Sequence, residues 1–229
     1  MVATLIIEFS LALYTAVRYK LSYVVRLITG MLVALAIFQL SEYFVCTGSG
    51  SLAIPWSRVG FVAITTLPPL GLHIMHVLAG KQDRRLVVAA YALMAIFMAF
   101  FLFSPSIFTG HQCTGNYVIF QFTTNVTGIY SVYYFGLLLL GIGAGFRWAN
   151  QLKARGQTVA RQLQTVQALI LGYLVFLVPS GLAMAVKPEV RRGIPSVLCG
   201  FAVLLALILA LYILPRAGQP RHTDSAKSA

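Results

Sequence analysis

LITGMLVALAIFQLSEYFVC, residues 27–46, decides the fold. Nothing from Leu27 to Ser41 carries a charge, and the stretch has about the 20 apolar residues a helix needs to cross the hydrocarbon core of a bilayer. Glu42 then interrupts it, one turn before Cys46. An ionisable side chain inside a spanning helix is costly, so it faces the protein interior or a watery cavity and is expected to have a partner.

The rest of the chain is built from similar runs. Hydrophobic residues make up 59% of the sequence and charged residues 10%, with a mean hydropathy of +0.85. A soluble domain carries roughly 25% charged residues, so this chain lacks the polar surface to face water. Runs at about 2–17, 27–46, 58–79, 86–108, 128–148, 163–186 and 194–214 predict an all-α integral membrane protein, a seven-transmembrane-helix bundle occupying residues 1–214 as one domain. No run alternates with a period of two, which argues against a transmembrane β-barrel. Residues 215–229, RAGQPRHTDSAKSA after Pro215, are polar and are expected to form a disordered cytoplasmic tail.

Seven crossings put the termini on opposite sides. With the N-terminus outside, the outer segments hold only four of the 17 basic residues, Arg58, Lys187, Arg191 and Arg192. Positive residues are retained on the cytoplasmic side, which predicts that orientation. It also accounts for the net charge of +12: the charges sit beside helix ends facing anionic headgroups, so the expected partner is the lipid bilayer and not nucleic acid. The first apolar run has its charges, Arg18 and Lys20, after it and not before it. It therefore reads as a retained anchor and not as a secretory signal.

In this topology Cys46 and Cys113 lie on the same outer level, where thiols oxidise, and a disulfide is expected between them. It would tie the end of the second helix to the long outer connection, residues 109–127. A second, basic connection is expected on the inner side over residues 149–162.

Arg58 heads the third run, within about one turn of the depth of Glu42. A Glu42–Arg58 ion pair across the hairpin is expected, with Trp56 beside it at the interface. Two roles fit the pair: it fixes how the second and third helices pack, or it lines an outward-facing ligand pocket. Further along the third run, Pro68 and Pro69 remove two backbone donors, so a kink is expected there. The hydroxyls of Thr65 and Thr66 are placed to help satisfy the freed carbonyls. The kink fits a static packing feature or a hinge. His73 and His76 share one face of the same helix. They read as buried, hydrogen-bonded imidazoles, and the titration range of histidine also admits a pH-sensing role. The two of them alone do not make a metal centre, which needs three or four ligands, and no metal site or cofactor is expected.

Gly141 and Gly145, in LLLLGIGAGF, read as a small-residue packing face, and YSVYYF, residues 130–135, as an interfacial aromatic belt. Ser180, Ser196 and Cys199 are polar or soft groups in the outer half. Retinal attachment needs a lysine in the last helix, and Lys187 precedes it. Glu8, Glu42 and the two histidines read as too dispersed along the membrane normal for intramembrane hydrolysis.

The order of Glu42, Trp56-Ser57-Arg58, Gly60 and Pro68-Pro69 resembles the N-terminal seven-helix input domain of bacterial membrane histidine kinases, over about residues 38–76. The resemblance implies a non-enzymatic, receptor-like sensor module in the cytoplasmic membrane of a bacterium, binding a small ligand or partner. The kinase or cyclase module that follows such input domains is missing here, so a separate signalling protein would carry the output. A structural or assembly subunit of a larger membrane complex is the alternative, its helices serving as the interaction surface. A membrane enzyme or carrier fits least.

Overall fold

The computed structural model describes residues 2–48, 50–104, 107–115, 117–123, 126–156, 159–186 and 193–219. It is a helical bundle with one small β-hairpin. In chain order the helices are α1 (Val2–Arg18), α2 (Tyr23–Thr47), α3 (Gly50–Thr65), α4 (Leu67–Leu78) and α5 (Arg85–Phe103). The hairpin strands β1 (Phe108–Cys113) and β2 (Val118–Phe122) follow, then α6 (Val126–Ala154), α7 (Ala160–Val186), α8 (Ile194–Leu207) and α9 (Leu214–Ala217). A π-helical segment, Ile208–Ile213, joins α8 to α9 in one continuous rod.

Six rods among the described residues are long and apolar enough to cross a membrane: Tyr23–Thr47, Leu52–Leu78, Arg85–Phe103, Gly128–Ala154, Ala160–Ala183 and Ile194–Ala217. α1, with 17 residues, is a shorter seventh rod. The helices extend past most of the apolar runs, because a run marks the hydrocarbon depth while the backbone remains helical into the headgroup layer. The basic connection expected over 149–162 is thus much shorter. α6 continues to Ala154 and α7 resumes at Ala160, with Gly156 taking the left-handed φ of 82° that glycine accommodates at a helix end.

α2 is the central rod, packing against α1, α3, α4 and α8. α4 packs against α6 and α7, and α8 returns to α1 and α2 to close the bundle. Glycines set the closest approaches: a Cβ on Gly60 of α3 would lie 3.1 Å from Cβ of Ser41 on α2, and one on Gly145 of α6 2.8 Å from Cε of Met75 on α4. Gly145 therefore serves as the packing face expected of GIGAG.

The helix is interrupted at Thr66, between the end of α3 and the start of α4, just before the two prolines. Pro69 has no N–H for the carbonyl of Thr65, which instead accepts from the Tyr133 hydroxyl at 2.7 Å. Thr65 Oγ1 donates to the Phe61 carbonyl at 2.6 Å, and Thr66 Oγ1 to that of Ala63 at 2.7 Å. The threonine hydroxyls thus bond the carbonyls of Phe61 and Ala63 and not those of Ile64 and Thr65, which the two prolines free, contrary to expectation; the donor to Thr65 comes from Tyr133 of α6.

Two further expectations need correction. The connection between α5 and α6 contains the antiparallel β1–β2 hairpin, too short and too close to a loop in composition to separate from it in the sequence. The tail does not begin disordered at residue 215: Pro215 to Ala217 are helical, and the Gln219 carbonyl accepts from Lys20 N at 2.9 Å. The remainder of the expected tail, residues 220–229, lies outside the described residues, as do Lys187, Arg191 and Arg192.

Candidate functional site

The disulfide forms. Cys46, at the end of α2, is bonded to Cys113, at the end of β1, with their Cα atoms 5.9 Å apart. Cys113 pairs across the hairpin with Val118, and Val118 N donates to Ser196 Oγ on α8 at 3.1 Å. The hairpin is thereby fastened to α2 and to α8, and it roofs a space between the helices.

That space is a cavity of about 490 Å³, within the roughly 300–1,000 Å³ typical of small-molecule sites. Phe61 and Ile64 of α3, Tyr130 and Tyr134 of α6, Leu198 of α8 and Phe120 of β2 are among its walls, and Gln112, Gln121 and Ser131 are its polar groups. Phe61 is the hub of the aromatic packing, its ring centroid 5.0–5.2 Å from those of Phe101, Phe108, Phe120 and Phe122. A pocket of this lining suits a compact apolar or aromatic molecule that offers one or two groups for hydrogen bonding.

The YSVYYF cluster does not form an interfacial belt. Tyr130, Tyr133 and Tyr134 are all buried; Tyr133 donates to the Thr65 carbonyl, and the Tyr130 hydroxyl lies 3.1 Å from Thr65 Oγ1. Their identity as interior residues was missed because an amphipathic ring reads the same at an interface as in a core. Ser131, between them, was the available signal: a small polar residue inside an aromatic cluster marks a face turned inward.

The expected Glu42–Arg58 ion pair is not formed. Arg58 turns to the C-terminal end of α5, where its guanidinium donates to the carbonyls of Leu102 and, at 2.7 Å, Ser104. A cation at that end also complements the helix dipole. Trp56 stacks on Phe44 with centroids 4.4 Å apart. Glu42 is fully buried on α2. Glu8 of α1 is fully buried too, and the two carboxyls act on each other electrostatically. Both also act on the buried Cys199 thiol. The Ser196 hydroxyl stands beside Glu42 without completing a hydrogen bond, since neither carboxyl has a hydrogen-bond partner.

The histidines are buried and hydrogen-bonded. His73 lies between two tyrosines, with Nε2 2.8 Å from Tyr23 Oη and Nδ1 3.1 Å from Tyr91 Oη. His76 Nε2 donates to the Asp83 carbonyl at 2.7 Å, and its ring packs edge-on against Trp148. Ser180 is also buried and donates back to the Phe176 carbonyl at 2.7 Å, so of the three outer-half groups only Ser196 and Cys199 act on the carboxyls.

Compared with known proteins, the chain matches no protein-family model, and no curated protein matches it.

Proposed function

We propose that the chain is a receptor-like sensor module of a cell membrane, a seven-span bundle with its N-terminus outside, which binds a small apolar ligand beneath the β1–β2 hairpin and signals to a separate protein. The cavity carries this reading. It is of ligand size, lined by rings, supplied with a few polar groups, and roofed by a segment held by a disulfide and not by the membrane.

Seven passes are supported by which ends meet, and the orientation by the distribution of basic residues. The Lys20–Gln219 backbone bond brings the end of α1 to the end of the last rod. Lys81, after α4, donates to Gln151 near the end of α6. The hairpin gathers the end of α2 and the start of α8 at the other face. Chain ends that alternate in this way fit rods that each cross once, which supports counting α1 as a seventh. The likeness to the input domains of bacterial membrane histidine kinases belongs to the same proposal, since Trp56, Arg58, Gly60 and the two prolines all shape the rod that forms the cavity wall. A ligand that moves the start of α8 acts on a rod containing a π-helical segment, a feature frequent at functional sites.

The test is a thermal-shift screen of small aromatic and apolar compounds on the purified full chain in nanodiscs. A compound at 100 times its dissociation constant should stabilise the protein by about 2.7 kcal/mol. Ser131→Trp, which fills the cavity, should abolish the shift. A binder whose effect survives Ser131→Trp, or a screen with no binder, would reject the cavity as the sensory site. Purification from native membranes in a complex of fixed composition would favour the assembly subunit instead.

A further inference from the structure

An open groove of about 380 Å³ runs between α6 and α7, at the end of α6 away from the cavity. The cavity takes residues 126–135 of α6 and the groove residues 146–153. From Tyr134 to Asn150 the rod advances about 24 Å. One face of each helix lines the groove: Phe146, Asn150 and Lys153 fall at i, i+4 and i+7, and so do Gln167, Leu171 and Leu174. Ala149 and Ile170, both buried, form its floor, and a Cβ on Gly145 would lie 3.0 Å from Ile170 Cγ1.

The lining is graded along the helices. Lys153 stands in the last turn of α6 with Asn150 one turn further in, and Gln167 lies two turns into α7. Phe146, Leu171 and Leu174 lie deeper, and all three are exposed. The groove is thus cationic and polar toward the helix ends and apolar toward the middle of the rods. Its polar groups are not used by the protein. Among the described residues Lys153 has no acidic partner: Asp83 lies against Arg85, and Glu8 and Glu42 are buried on α1 and α2. The Asn150 and Gln167 side chains make no hydrogen bond to another described residue. Arg155 and Arg161 stand at the same two helix ends and add to the positive potential there.

This grading matches an acidic lipid. A soluble anion would reach Lys153 but gain nothing from Phe146 and Leu174, which lie within the spanning rods. A zwitterionic lipid carries its own cation beside the phosphate and gains less from a lysine. Basic pockets between spanning helices are known to take acidic headgroups. We propose that the α6–α7 groove holds one anionic phospholipid, its phosphate on the Lys153 ammonium and the Asn150 and Gln167 amides, and an acyl chain along Phe146, Leu171 and Leu174. The lipid bridges the two rods beside their short connection. The groove shares no residue with the cavity, so the site stands whether or not the cavity binds a ligand.

The test uses the purified full chain, delipidated in detergent and offered phosphatidylglycerol against phosphatidylcholine with the same acyl chains. Native mass spectrometry counts the lipid retained. Wild type should hold one phosphatidylglycerol per chain and prefer it by at least about tenfold, the ratio that one charge-assisted hydrogen bond supplies. Lys153→Gln should erase that preference, and Lys153→Arg should keep most of it. Leu171→Trp, which fills the apolar part and leaves the charge intact, should expel phosphatidylglycerol. Lys153 and Leu171 are both exposed, so neither change removes a core contact. Arg85→Gln removes the same charge at the same membrane level, which the Lys81–Gln151 bond marks, but outside the groove, and should change nothing. Equal retention of the two lipids by wild type, the same loss in Arg85→Gln as in Lys153→Gln, or undiminished binding in Leu171→Trp would overturn the proposal. So would inorganic phosphate displacing the lipid, or a lipid-free dimer in which a second copy closes the groove.

Discussion

Replacing Tyr133 by Phe removes one oxygen atom, and the structure says which group suffers. The hydroxyl donates to the Thr65 carbonyl at 2.7 Å in a buried setting. In an uninterrupted helix that carbonyl would accept from the N–H of residue 69, but residue 69 is proline. Losing Tyr133 Oη therefore leaves a buried carbonyl with no donor, which costs about 1–3 kcal/mol in soluble proteins. Hydrogen bonds between transmembrane helices are worth less, on average about 0.6 kcal/mol and at most about 1.7. Because the acceptor here has no intrahelical alternative, the upper part of that range applies, about 1–1.7 kcal/mol. Pro69→Ala restores the missing N–H, so in that background Tyr133→Phe should cost no more than about 0.5 kcal/mol, the scale of an uncoupled pair. The assay is a double-mutant cycle by reversible unfolding in mixed micelles, reading the difference between the two Tyr133→Phe effects and not the effect of Pro69→Ala itself. An equal loss in both backgrounds would refute the argument, because the hydroxyl would then be serving something other than the carbonyl that Pro69 leaves vacant.

Three other outcomes follow from single contacts. Cys46→Ser should destabilise the protein by about 2–4 kcal/mol, and mass spectrometry after alkylation without reductant should find Cys113 labelled in the variant but not in the wild type. Gly71→Ala places a Cβ 1.7 Å from Tyr173 Oη and should cost about 1–3 kcal/mol by overpacking, whereas Gly136→Ala, which meets nothing within 4 Å, should stay within about 0.5 kcal/mol; chemical denaturation compares the two. Arg58→Ala should lose about 1.5–3 kcal/mol, the worth of a hydrogen bond made by a charged group, with Arg58→Lys intermediate because ammonium keeps the charge but not the planar fork. Thermal unfolding of the two variants beside wild type checks that order.

What was legible in the sequence was depth along the membrane normal. Apolar length marked the spanning rods, the shared level of Cys46 and Cys113 gave the disulfide, and Pro68-Pro69 marked where the helix is interrupted, because proline acts on its own turn. What was not legible was direction around each helix. Ser41 and Glu42 are neighbours in the chain, yet successive residues on a helix differ by about 100°. Ser41 faces Gly60 of α3, while Glu42 stands beside Ser196 of α8. Glu42 and Arg58 therefore do not meet: Arg58 caps α5, and Glu42 is buried without a hydrogen-bond partner. The tyrosines of α6 were misread for the same reason: a count along the chain places them near the interface, and only the azimuth turns them inward.

One short hairpin ties α2 to α8 beside the buried Glu42. Burial of the unpartnered Glu42 oxygens works against the packing of α2 in the bundle. Cys46 lies one turn beyond Glu42 on α2 and is covalently fixed to β1. Cys113 pairs with Val118 on β2, whose N–H is held by Ser196 on α8, and Ser196 in turn stands beside Glu42. The path leaves α2 and returns to it through α8, so α2 cannot separate from α8 at the level of Glu42 without breaking a disulfide or a buried hydrogen bond. The same hairpin forms the roof of the aromatic cavity. Any molecule that enters beneath it and displaces Val118 must therefore also disturb Ser196, and through Ser196 the environment of Glu42.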